Sequence, residues 1–313
     1  MRKIIVTGAT SYIAAALIRL LLSEQYFVYA VIRPDSVNRN KLPQSPYLRI
    51  LELDMNEYSA LSVMNLGEIS AVYHFAWEGV RGNSRTDDVL QLHNVNCAKQ
   101  LLDMASRQNI PYFIGMGSQA EYGITGTQLI TEDMALKPVD AYGTAKAQIF
   151  QYGTDLACRF GFTFIWARIF SAYGYGEHLN TLIMSSFRKM IRNEEVILSP
   201  CEHLWDYLYR DDLAKALYRL YKSQSCSGAY NVSYGSPKPL KYYMEKMKEV
   251  LHSDSQLRFG AIPYGQHIVQ MNPSIAKLRS ATAWTPETDF ETGIWRIYKD
   301  LENEKDKYIS ANL

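Results

Sequence analysis

Short apolar runs alternate with longer amphipathic stretches over roughly the first 165 residues. A short apolar run that ends in polar or turn-forming residues is typical of a strand buried on both faces, whereas the longer stretches are typical of helices. The predicted strands span residues 3–6, 27–32, 48–53, 71–76, 112–116 and 163–167, and the predicted helices span residues 13–22, 58–64, 89–107 and 141–160. Regular alternation of this kind predicts an α/β fold built on a doubly wound parallel sheet.

The texture of the sequence changes after Tyr173, where Tyr, Pro and Gly become frequent. This composition predicts a smaller, loop-rich C-terminal α/β domain. We predict that residues 1–172 form the first domain, with a return segment near 203–231, and that residues 173–202 and 232–305 form the second. Residues 298–307 are rich in charge, which predicts a solvated helix end, and residues 306–313 are predicted to be a tail beyond it.

Composition and charge exclude several classes of partner. The chain has 33 basic and 32 acidic residues, a formal net charge of +1, so nothing favours nucleic acid or an anionic membrane surface. Its first 22 residues imitate a secretory leader, but Gly8 and Arg19 interrupt the apolar run as a strand, turn and helix would. The cysteines are spread without metal or redox spacing, which predicts no metal site and a cytoplasmic location: Cys97, Cys158, Cys201 and Cys226.

The turn after the first predicted strand has the position and composition of a dinucleotide site. Residues 7–14 read Thr-Gly-Ala-Thr-Ser-Tyr-Ile-Ala and precede the first predicted helix. Such a turn brings backbone N–H groups to a pyrophosphate, and small residues let phosphate oxygens approach the main chain. Ser11 and Ala14 stand where the usual pattern has glycine, so an ordinary strand-to-helix turn is the alternative. The predicted contacts are Gly8, Thr10, Ser11, Tyr12 and Ile13.

Two side chains that follow the next strands bear on the choice of cofactor. Arg33 follows the second predicted strand, where NAD-preferring proteins usually carry an acid for the adenosine ribose. An arginine there suits a 2′-phosphate, which it can bind through charge-assisted bonds. We therefore favour NADP(H), with NAD(H) as the alternative. Asp54 ends the third strand and is a candidate for hydrogen bonding to adenine, or else a turn residue.

Ser118, Tyr142 and Lys146 form the candidate catalytic set. Ser118 follows the fifth predicted strand, and the spacing of four places Tyr142 and Lys146 on one face of the following helix. A free tyrosine has a pKa near ~10, and we expect the nearby ammonium of Lys146 to lower it. Tyr142 would then exchange a proton with the substrate oxygen, Ser118 would donate a hydrogen bond to that oxygen, and Lys146 would also hold the nicotinamide ribose.

The same spacing occurs twice elsewhere, at Tyr218 and Lys222 and at Tyr242 and Lys246. Neither pair follows a serine at the end of a predicted strand, and both lie on amphipathic stretches of the later region. We interpret them as surface or packing residues.

Together these features resemble the extended short-chain dehydrogenase/reductase family, which includes epimerases, dehydratases and reductases of nucleotide sugars. The resemblance covers nearly the whole chain. It rests on Thr7-Gly8, Asp54, Tyr73-His-Phe-Ala76, Asn94-Val-Asn96, Ser118, Tyr122-Gly123, Tyr142 with Lys146, Arg168 to Gly174, Trp205 to Asp212 and Ala283-Trp-Thr-Pro286.

The resemblance implies a Rossmann domain, a C-terminal nucleotide-sugar domain and a homodimer formed through a helix bundle. It also implies a nicotinamide cofactor near Ala76 and Asn94, whereas His74 is interpreted as a packing residue. The predicted substrate contacts are Trp77, Gln119, Ser171, Trp205 and Arg210.

The departures from the family pattern indicate which of the family's reactions are not expected. The 4,6-dehydratases carry an Asp-Glu pair where this chain has Gln119 and Ala120, and C3/C5 epimerases use a Cys and a His where it has Ala120 and Thr181. Neither activity is therefore expected. Ser171 replaces an asparagine, Trp205 an arginine that meets a substrate phosphate, and Trp77 a small residue near the nicotinamide. These changes predict an unusual sugar site, of a subgroup found in surface-polysaccharide and deoxysugar pathways.

Three hypotheses of function follow. The first is NADPH-dependent reduction of the 4-keto group of an NDP-4-keto-6-deoxyhexose. The second is an NDP-sugar 4-epimerase that retains a tightly bound NAD. The third is a cofactor-binding scaffold without catalysis, which the intact set of Ser118, Tyr142 and Lys146 disfavours.

Overall fold

The computed structural model describes residues 1–223, 226–265 and 268–310. Strands in these residues are β1 (Lys3–Thr7), β2 (Phe27–Ile32), β3 (Leu48–Glu52), β4 (Ile69–His74), β5 (Tyr112–Ser118), β6 (Thr163–Ile169), β7 (Ser171–Tyr173), β8 (Val196–Ile197), β9 (Leu204–Trp205), β10 (Tyr207–Tyr209), β11 (Gly228–Val232), β12 (Lys238–Pro239) and β13 (Leu257–Arg258). The α-helices are α1 (Tyr12–Ser23), α2 (Asp88–Arg107), α3 (Ala141–Phe160), α4 (Leu182–Met190), α5 (Arg210–Lys222), α6 (Leu240–Val250), α7 (Ala276–Thr282) and α8 (Phe290–Ser310). The described residues also contain four 3₁₀ helices, which span Arg39–Lys41, Met55–Ser62, Gly82–Thr86 and Gln119–Tyr122.

A seven-stranded parallel sheet in the order β11-β6-β5-β4-β1-β2-β3 forms the centre of the molecule. Successive residues of a strand point to opposite faces, so one face of the sheet packs against α1 and α5 and the other against α2 and α3. Because both faces are covered, the strands are apolar throughout, as in β2, where five of the six residues are buried. The predicted fold class, a Rossmann-type α/β fold, is confirmed.

The strand order reverses between β1 and β4, which pair with each other although β2 and β3 separate them in sequence. Connections leave β1 and β4 toward opposite faces of the sheet, which opens a crevice beyond the carboxyl ends of these strands. Ligands of doubly wound folds bind in such a crevice.

The C-terminal part of the chain builds a second cluster of apolar residues around α4, α6 and α8 and the short strand pairs β10–β7, β12–β9 and β13–β8. Strand β11 belongs to the main sheet, where it pairs with β6. The domain boundaries stay a prediction. Helix α8 continues to Ser310, so it includes most of the segment predicted as a tail, and residues 311–313 lie outside the described residues.

Two predicted elements differ from the structure in type or position, and several others differ by one or two residues at an end. The helix expected over 58–64 is a 3₁₀ helix over Met55–Ser62, because Asp54 and Glu57 form a capping box that starts a tighter turn earlier. The strand expected over 71–76 runs over Ile69–His74, since pairing with β1 ends at Thr7 and His74. In the described residues no helix combines the length and the apolar character needed to cross a bilayer.

Candidate active site

The crevice contains a cleft of about 1070 Å³ beside the carboxyl ends of β1, β5 and β6. Its walls come from the turn between β1 and α1, the loops after β2 and β4, the end of β5, the first turns of α3, and the segment after β7. The predicted site residues among its lining residues are Thr10, Ser11, Tyr12, Ile13, Trp77, Ser118, Gln119, Tyr142, Lys146, Ser171 and Trp205. Ten of these eleven come from the main-sheet region and its following helices, and only Trp205 lies later in the chain.

The turn after β1 presents the N-terminus of α1 to the cleft. Ser11 caps the helix by accepting a hydrogen bond from the Ala14 backbone N–H at 3.2 Å. The other N–H groups of the first helical turn have no partner within the helix, so they can bind an anion such as a pyrophosphate. The residues of this turn therefore fit a dinucleotide.

Gly8 is required by the packing of the protein itself. Its φ is +61°, and a Cβ there would lie 2.6 Å from the Ala76 backbone nitrogen. The chain after β4 packs against the turn and excludes a side chain at this position, while the approach of a phosphate stays a prediction. Gly8 and Ala76 support the turn from behind the cleft lining.

Asn94 also acts from behind the lining. Its side-chain amide accepts from the backbone N–H of Glu78 at 2.9 Å and donates to the carbonyl of the same residue at 3.0 Å. Gln91, one turn earlier on α2, donates to the carbonyls of Gly79 and Ser84. These bonds fix the loop after β4, which carries Trp77 into the cleft.

Arg33 and Asp54 lie at the ends of β2 and β3, outside the lining of the cleft. The Arg33 side chain is 69% exposed, and its Nη1 lies 3.3 Å from Glu78 Oε1. Asp54 accepts from the Asn56 backbone N–H at 3.1 Å as the cap of the following 3₁₀ helix. Lys41, from the same loop region as Arg33, does line the cleft.

Ser118, Tyr142 and Lys146 are all buried and come together at one end of the cleft. Ser118 is the last residue of β5, Tyr142 lies in the first turn of α3, and a hydrogen bond with the Ser118 side chain lowers the pKa of Tyr142. Lys146 Nζ donates to the Met116 carbonyl at 2.8 Å and lies 3.5 Å from the centre of the Trp77 ring. The structure therefore unites the predicted catalytic set.

Burial dominates the pKa of Tyr142, and its lowering by Lys146 stays a prediction. Burial raises the pKa of Tyr142 above its usual value and outweighs the groups that lower it, Ser118 and Arg85. Burial also lowers the pKa of Lys146 to about 7, because the site disfavours its charged form. Lys146 is therefore only partly charged near neutral pH, which weakens its influence on Tyr142.

A buried polar network holds Ser118 in place. Ser118 and Glu121 form a capping box: the Ser118 backbone N–H donates to Glu121 Oε1 at 2.8 Å, while the Ser118 Oγ accepts from Ala120. Glu121 is completely buried and pairs with the equally buried Arg168, Nε to Oε2 at 2.8 Å. Trp166 Nε1 also donates to this carboxylate. The network fixes the backbone that carries the catalytic hydroxyl.

Among the predicted substrate contacts, Arg210 is the one that does not face the cleft. Its guanidinium donates to the Tyr175 carbonyl and pairs with Asp211 at 3.3 Å and Asp300 at 3.5 Å. These interactions link α5 to α8. Arg210 is therefore engaged by groups of the protein in this arrangement.

Sequence reasoning missed several charged residues of the cleft: Lys41, Arg81, Arg85 and Glu177. The first three follow β2 or β4, and a rule that loops after parallel strands line the crevice would have found them. Glu177 pairs with Arg81 at 3.8 Å, and its Oε2 is buried without a hydrogen-bond partner. Burial raises the pKa of Glu177 to about 7.

His74 is a packing residue, as interpreted from the sequence. Its Nδ1 lies 2.8 Å from Thr7 Oγ1, and burial lowers its pKa to about 3, so the ring is neutral. In the residues that the structure describes, no group of three or more His, Cys, Asp or Glu side chains could hold a metal ion.

A parallel sheet with an anion-binding turn at its switch point and a Ser-Tyr-Lys set in the adjoining cleft defines a dinucleotide-binding oxidoreductase fold. The family model described as the NAD dependent epimerase/dehydratase family matches residues 4–233. The chain therefore belongs to this family, within the extended short-chain dehydrogenases/reductases.

Curated relatives match over nearly their full length. The chain is 23% identical over 303 residues to the CDP-abequose synthase of Salmonella muenchen, covering 95% of this chain and 97% of the relative. It is 26% identical over 309 residues to the UDP-glucose 4-epimerase of Corynebacterium glutamicum, covering 93% of each.

Solved structures share the fold. The UDP-glucose 4-epimerase of Thermotoga maritima, with UDP-glucose, gives a TM-score of 0.88 at 20% identity over 96% of this chain and 99% of that one. RMD from Pseudomonas aeruginosa, complexed with NADPH, gives a TM-score of 0.80 at 19% identity over 97% and 100%.

Proposed function

We propose that the protein is an NADPH-dependent reductase of the 4-keto group of an NDP-4-keto-6-deoxyhexose. The proposal rests on one observation: Ser118, Tyr142 and Lys146 line the same cleft, beside the turn that fits a dinucleotide. Family membership and the match to a CDP-abequose synthase over almost the whole chain support a nucleotide sugar as substrate.

The cofactor, when bound, supplies the hydride, and the chain's own residues manage the proton. Tyr142 donates its phenolic proton to the carbonyl oxygen of the substrate, which gains negative charge as the ketone is reduced. Ser118 donates a hydrogen bond to the same oxygen and stabilises that charge. Lys146, whose pKa burial lowers to about 7, is suited to donate to ribose hydroxyls and to exchange protons near neutral pH.

Water elimination and epimerisation at C3 and C5 are not proposed, because the groups that they need are absent from the corresponding positions. Gln119 lines the cleft and Ala120 is buried beside it, so neither offers an acid or a base. Thr181 lines the cleft as well, but its hydroxyl accepts from the Met184 backbone N–H as the cap of α4.

NADP(H) is proposed over NAD(H) because of Arg33. This side chain stands at the carboxyl end of β2, where the adenosine ribose of a dinucleotide lies in folds of this type. Its present partner, Glu78, is 40% exposed, so a 2′-phosphate can compete for the guanidinium at small cost.

A second candidate function is 4-epimerisation of a nucleotide sugar with a retained NAD. It is favoured by the match to a UDP-glucose 4-epimerase at 26% identity. Epimerisation uses the same Tyr142 twice, first as a base and then as an acid, so the catalytic set suits both reactions. A homodimer and a cytoplasmic location stay predictions.

The test is to add purified protein to NADPH and an NDP-4-keto-6-deoxyhexose and to follow nicotinamide absorbance. We expect stoichiometric loss of NADPH. An epimerase produces no net change in nicotinamide absorbance but interconverts 4-hydroxy sugar nucleotides, which chromatography detects.

Tyr142→Phe is expected to abolish either activity while NADPH binding persists, and unchanged turnover in this variant would contradict the role of Tyr142. A protein that binds NADPH but turns over neither substrate is a scaffold.

A further inference from the structure

Tyr142 has a cationic neighbour that lies outside the catalytic set. Arg85 belongs to the 3₁₀ helix Gly82–Thr86, in the loop between β4 and α2, and its guanidinium carbon lies 4.5 Å from the centre of the Tyr142 ring. Lys146 Nζ is farther from the same centre, at 5.7 Å. Arg85 also lines the cleft. Of these two cations, the arginine of the loop therefore lies nearer to the centre of the Tyr142 ring than the lysine of the helix.

The position of Arg85 is set by the helix that carries Tyr142. Arg85 Nε and Nη2 lie 2.8 Å and 2.6 Å from Asp140 Oδ2. The other carboxylate oxygen, Oδ1, accepts from the Gly143 backbone N–H at 2.7 Å and so caps α3. Asp140 thus ties the guanidinium to the first turn of α3, and Gln91 fixes the loop from its other side through the Ser84 carbonyl.

The two cations differ in how much charge they carry. Lys146 is completely buried, its pKa is lowered to about 7, and its ammonium is engaged by the Met116 carbonyl and the Trp77 ring. An arginine stays protonated throughout the working range of a protein. Arg85 therefore provides a permanent charge where Lys146 provides a partial one.

We propose that Arg85 is a positioning residue for Tyr142: its guanidinium, held by Asp140, packs on the phenol ring and favours the phenolate. The proposal rests on the role of Tyr142 in proton transfer given under the proposed function. It makes the site a set of four residues, in which the loop after β4 contributes to the chemistry of α3.

Other charged or hydrogen-bonding groups, on the elements packed around Tyr142, also act on its ionisation. Ser118, at the end of β5, donates to the phenol and acts in the same direction as Arg85, whereas Glu121 and Asp140 act against the phenolate. Glu121 is paired with Arg168, and Asp140 with Arg85. Loss of the Arg85 charge therefore removes a cation from the ring and at the same time leaves the Asp140 carboxylate unpaired beside it.

Direct titration of residue 142 tests the proposal without any substrate. Fluorotyrosine is incorporated at position 142, and its ionisation is followed by fluorine NMR in the parent chain and in Arg85→Met, Arg85→Gln and Arg85→Lys. We expect Arg85→Met and Arg85→Gln, which remove the charge, to raise the pKa at position 142 by about one unit, and Arg85→Lys, which keeps a charge, to raise it less. An unchanged titration in Arg85→Met overturns the proposal.

Kinetics provide the second readout. In ketone reduction, activity falls as Tyr142 loses its proton, so the alkaline fall of kcat should move up by about one unit in Arg85→Met. A weaker acid also transfers its proton more slowly, and kcat below that fall should drop about three- to tenfold with little change in KM. A rise in KM alone, with the pH profile unmoved, would mean that Arg85 contacts substrate and would refute the positioning role.

Failure of this proposal can be distinguished from failure of the proposed function. If Arg85→Met does not fold, Arg85→Gln decides, because it also removes the charge, and an unchanged titration in that variant refutes the proposal. If the protein reduces no keto-sugar nucleotide, the proposed function fails, but the fluorine titration still reports whether Arg85 controls the ionisation at position 142.

Discussion

Replacing Glu121 with glutamine should destabilise the protein strongly, although the two side chains have nearly the same shape. Glu121 is fully buried and accepts from Arg168 Nε, Trp166 Nε1 and the Ser118 backbone N–H at 2.8 to 2.9 Å. Glutamine removes the charge and turns one carboxylate oxygen into an NH₂ group that faces a donor. Arg168, 1% exposed, would then be a buried cation without a counter-charge.

The expected loss in the free energy of unfolding follows from the burial of this ion pair. Breaking a buried ion pair by removing one partner costs about 3–5 kcal/mol. Arg168 keeps a hydrogen bond to the Tyr122 hydroxyl at 3.0 Å and a longer one to the Glu132 carbonyl at 3.4 Å, so we expect about 3 kcal/mol.

The matched control is Glu52→Gln, which breaks the exposed pair between Arg39 and Glu52. Both side chains of that pair are about half exposed. Water solvates the remaining charge, so the free energy of unfolding should change by less than about 0.5 kcal/mol.

Urea-induced unfolding, followed by tryptophan fluorescence, measures both variants. The double variant Glu121→Gln with Arg168→Met should recover part of the loss, because it leaves no buried charge while the amide oxygen can still accept from Trp166 Nε1 and the Ser118 backbone N–H. A free-energy change below about 1 kcal/mol in Glu121→Gln would refute the reasoning.

Three further predictions use other features of the site. The pKa of Lys146 is about 7 in the folded protein and about 10.4 in an unfolded chain, so the folded state binds fewer protons between these values. Stability should therefore rise by about 2 kcal/mol from about pH 7 to about pH 9, and this rise should be absent in Lys146→Met, as urea unfolding at each pH would show. Gly8→Ala should cost about 1–3 kcal/mol more than Gly126→Ala, because both have positive φ but only Gly8 faces the Ala76 backbone; equal losses would contradict this. Arg33→Ser should weaken NADPH binding about ten- to hundredfold while NADH binding stays constant in calorimetry, and an equal effect on both would exclude contact with a 2′-phosphate.

Much of the fold could be predicted because parallel strands buried on both faces leave apolar runs in the sequence. Strand β2 and helix α3 have the predicted bounds, since each ends at a local signal: Pro34 lies just after β2, and Gly161 closes α3 in a left-handed conformation. Strand β4 was displaced by two residues, because the end of a strand in the middle of a sheet depends on the register with its neighbours.

The catalytic set could be predicted for a similar reason. Ser118 at a strand end and Tyr142 with Lys146 one turn apart are local patterns, and the topology of a doubly wound sheet brings strand ends to one edge. The Ser118-x-x-Glu121 capping box was also readable as a local pattern, but its burial and its pairing with Arg168 were not.

The directions and contacts of the charged side chains in the site could not be predicted from the sequence. Arg210 and Arg85 both have long cationic side chains in segments near the cleft. In the structure, the first pairs with Asp211 and Asp300, whereas the second lies over Tyr142. A long side chain has many rotamers of similar energy, and its direction depends on which acceptors the folded chain brings within reach. For the same reason the pKa of Tyr142 could not be read from its distance in sequence to Lys146, since burial outweighs the neighbouring charges.

The sequence by itself therefore determined the α/β class, the order of the main elements, the turn that fits a dinucleotide and the candidate catalytic set that the fold brings together, because each depends on local periodicity, turn chemistry or spacing. Only the tertiary structure decided which cations face Tyr142, which carboxylates are buried, and how the loop after β4 meets α3. Those features depend on contacts between residues far apart in the chain, such as Arg85 with Asp140 and Glu121 with Arg168, and on the exclusion of water around them.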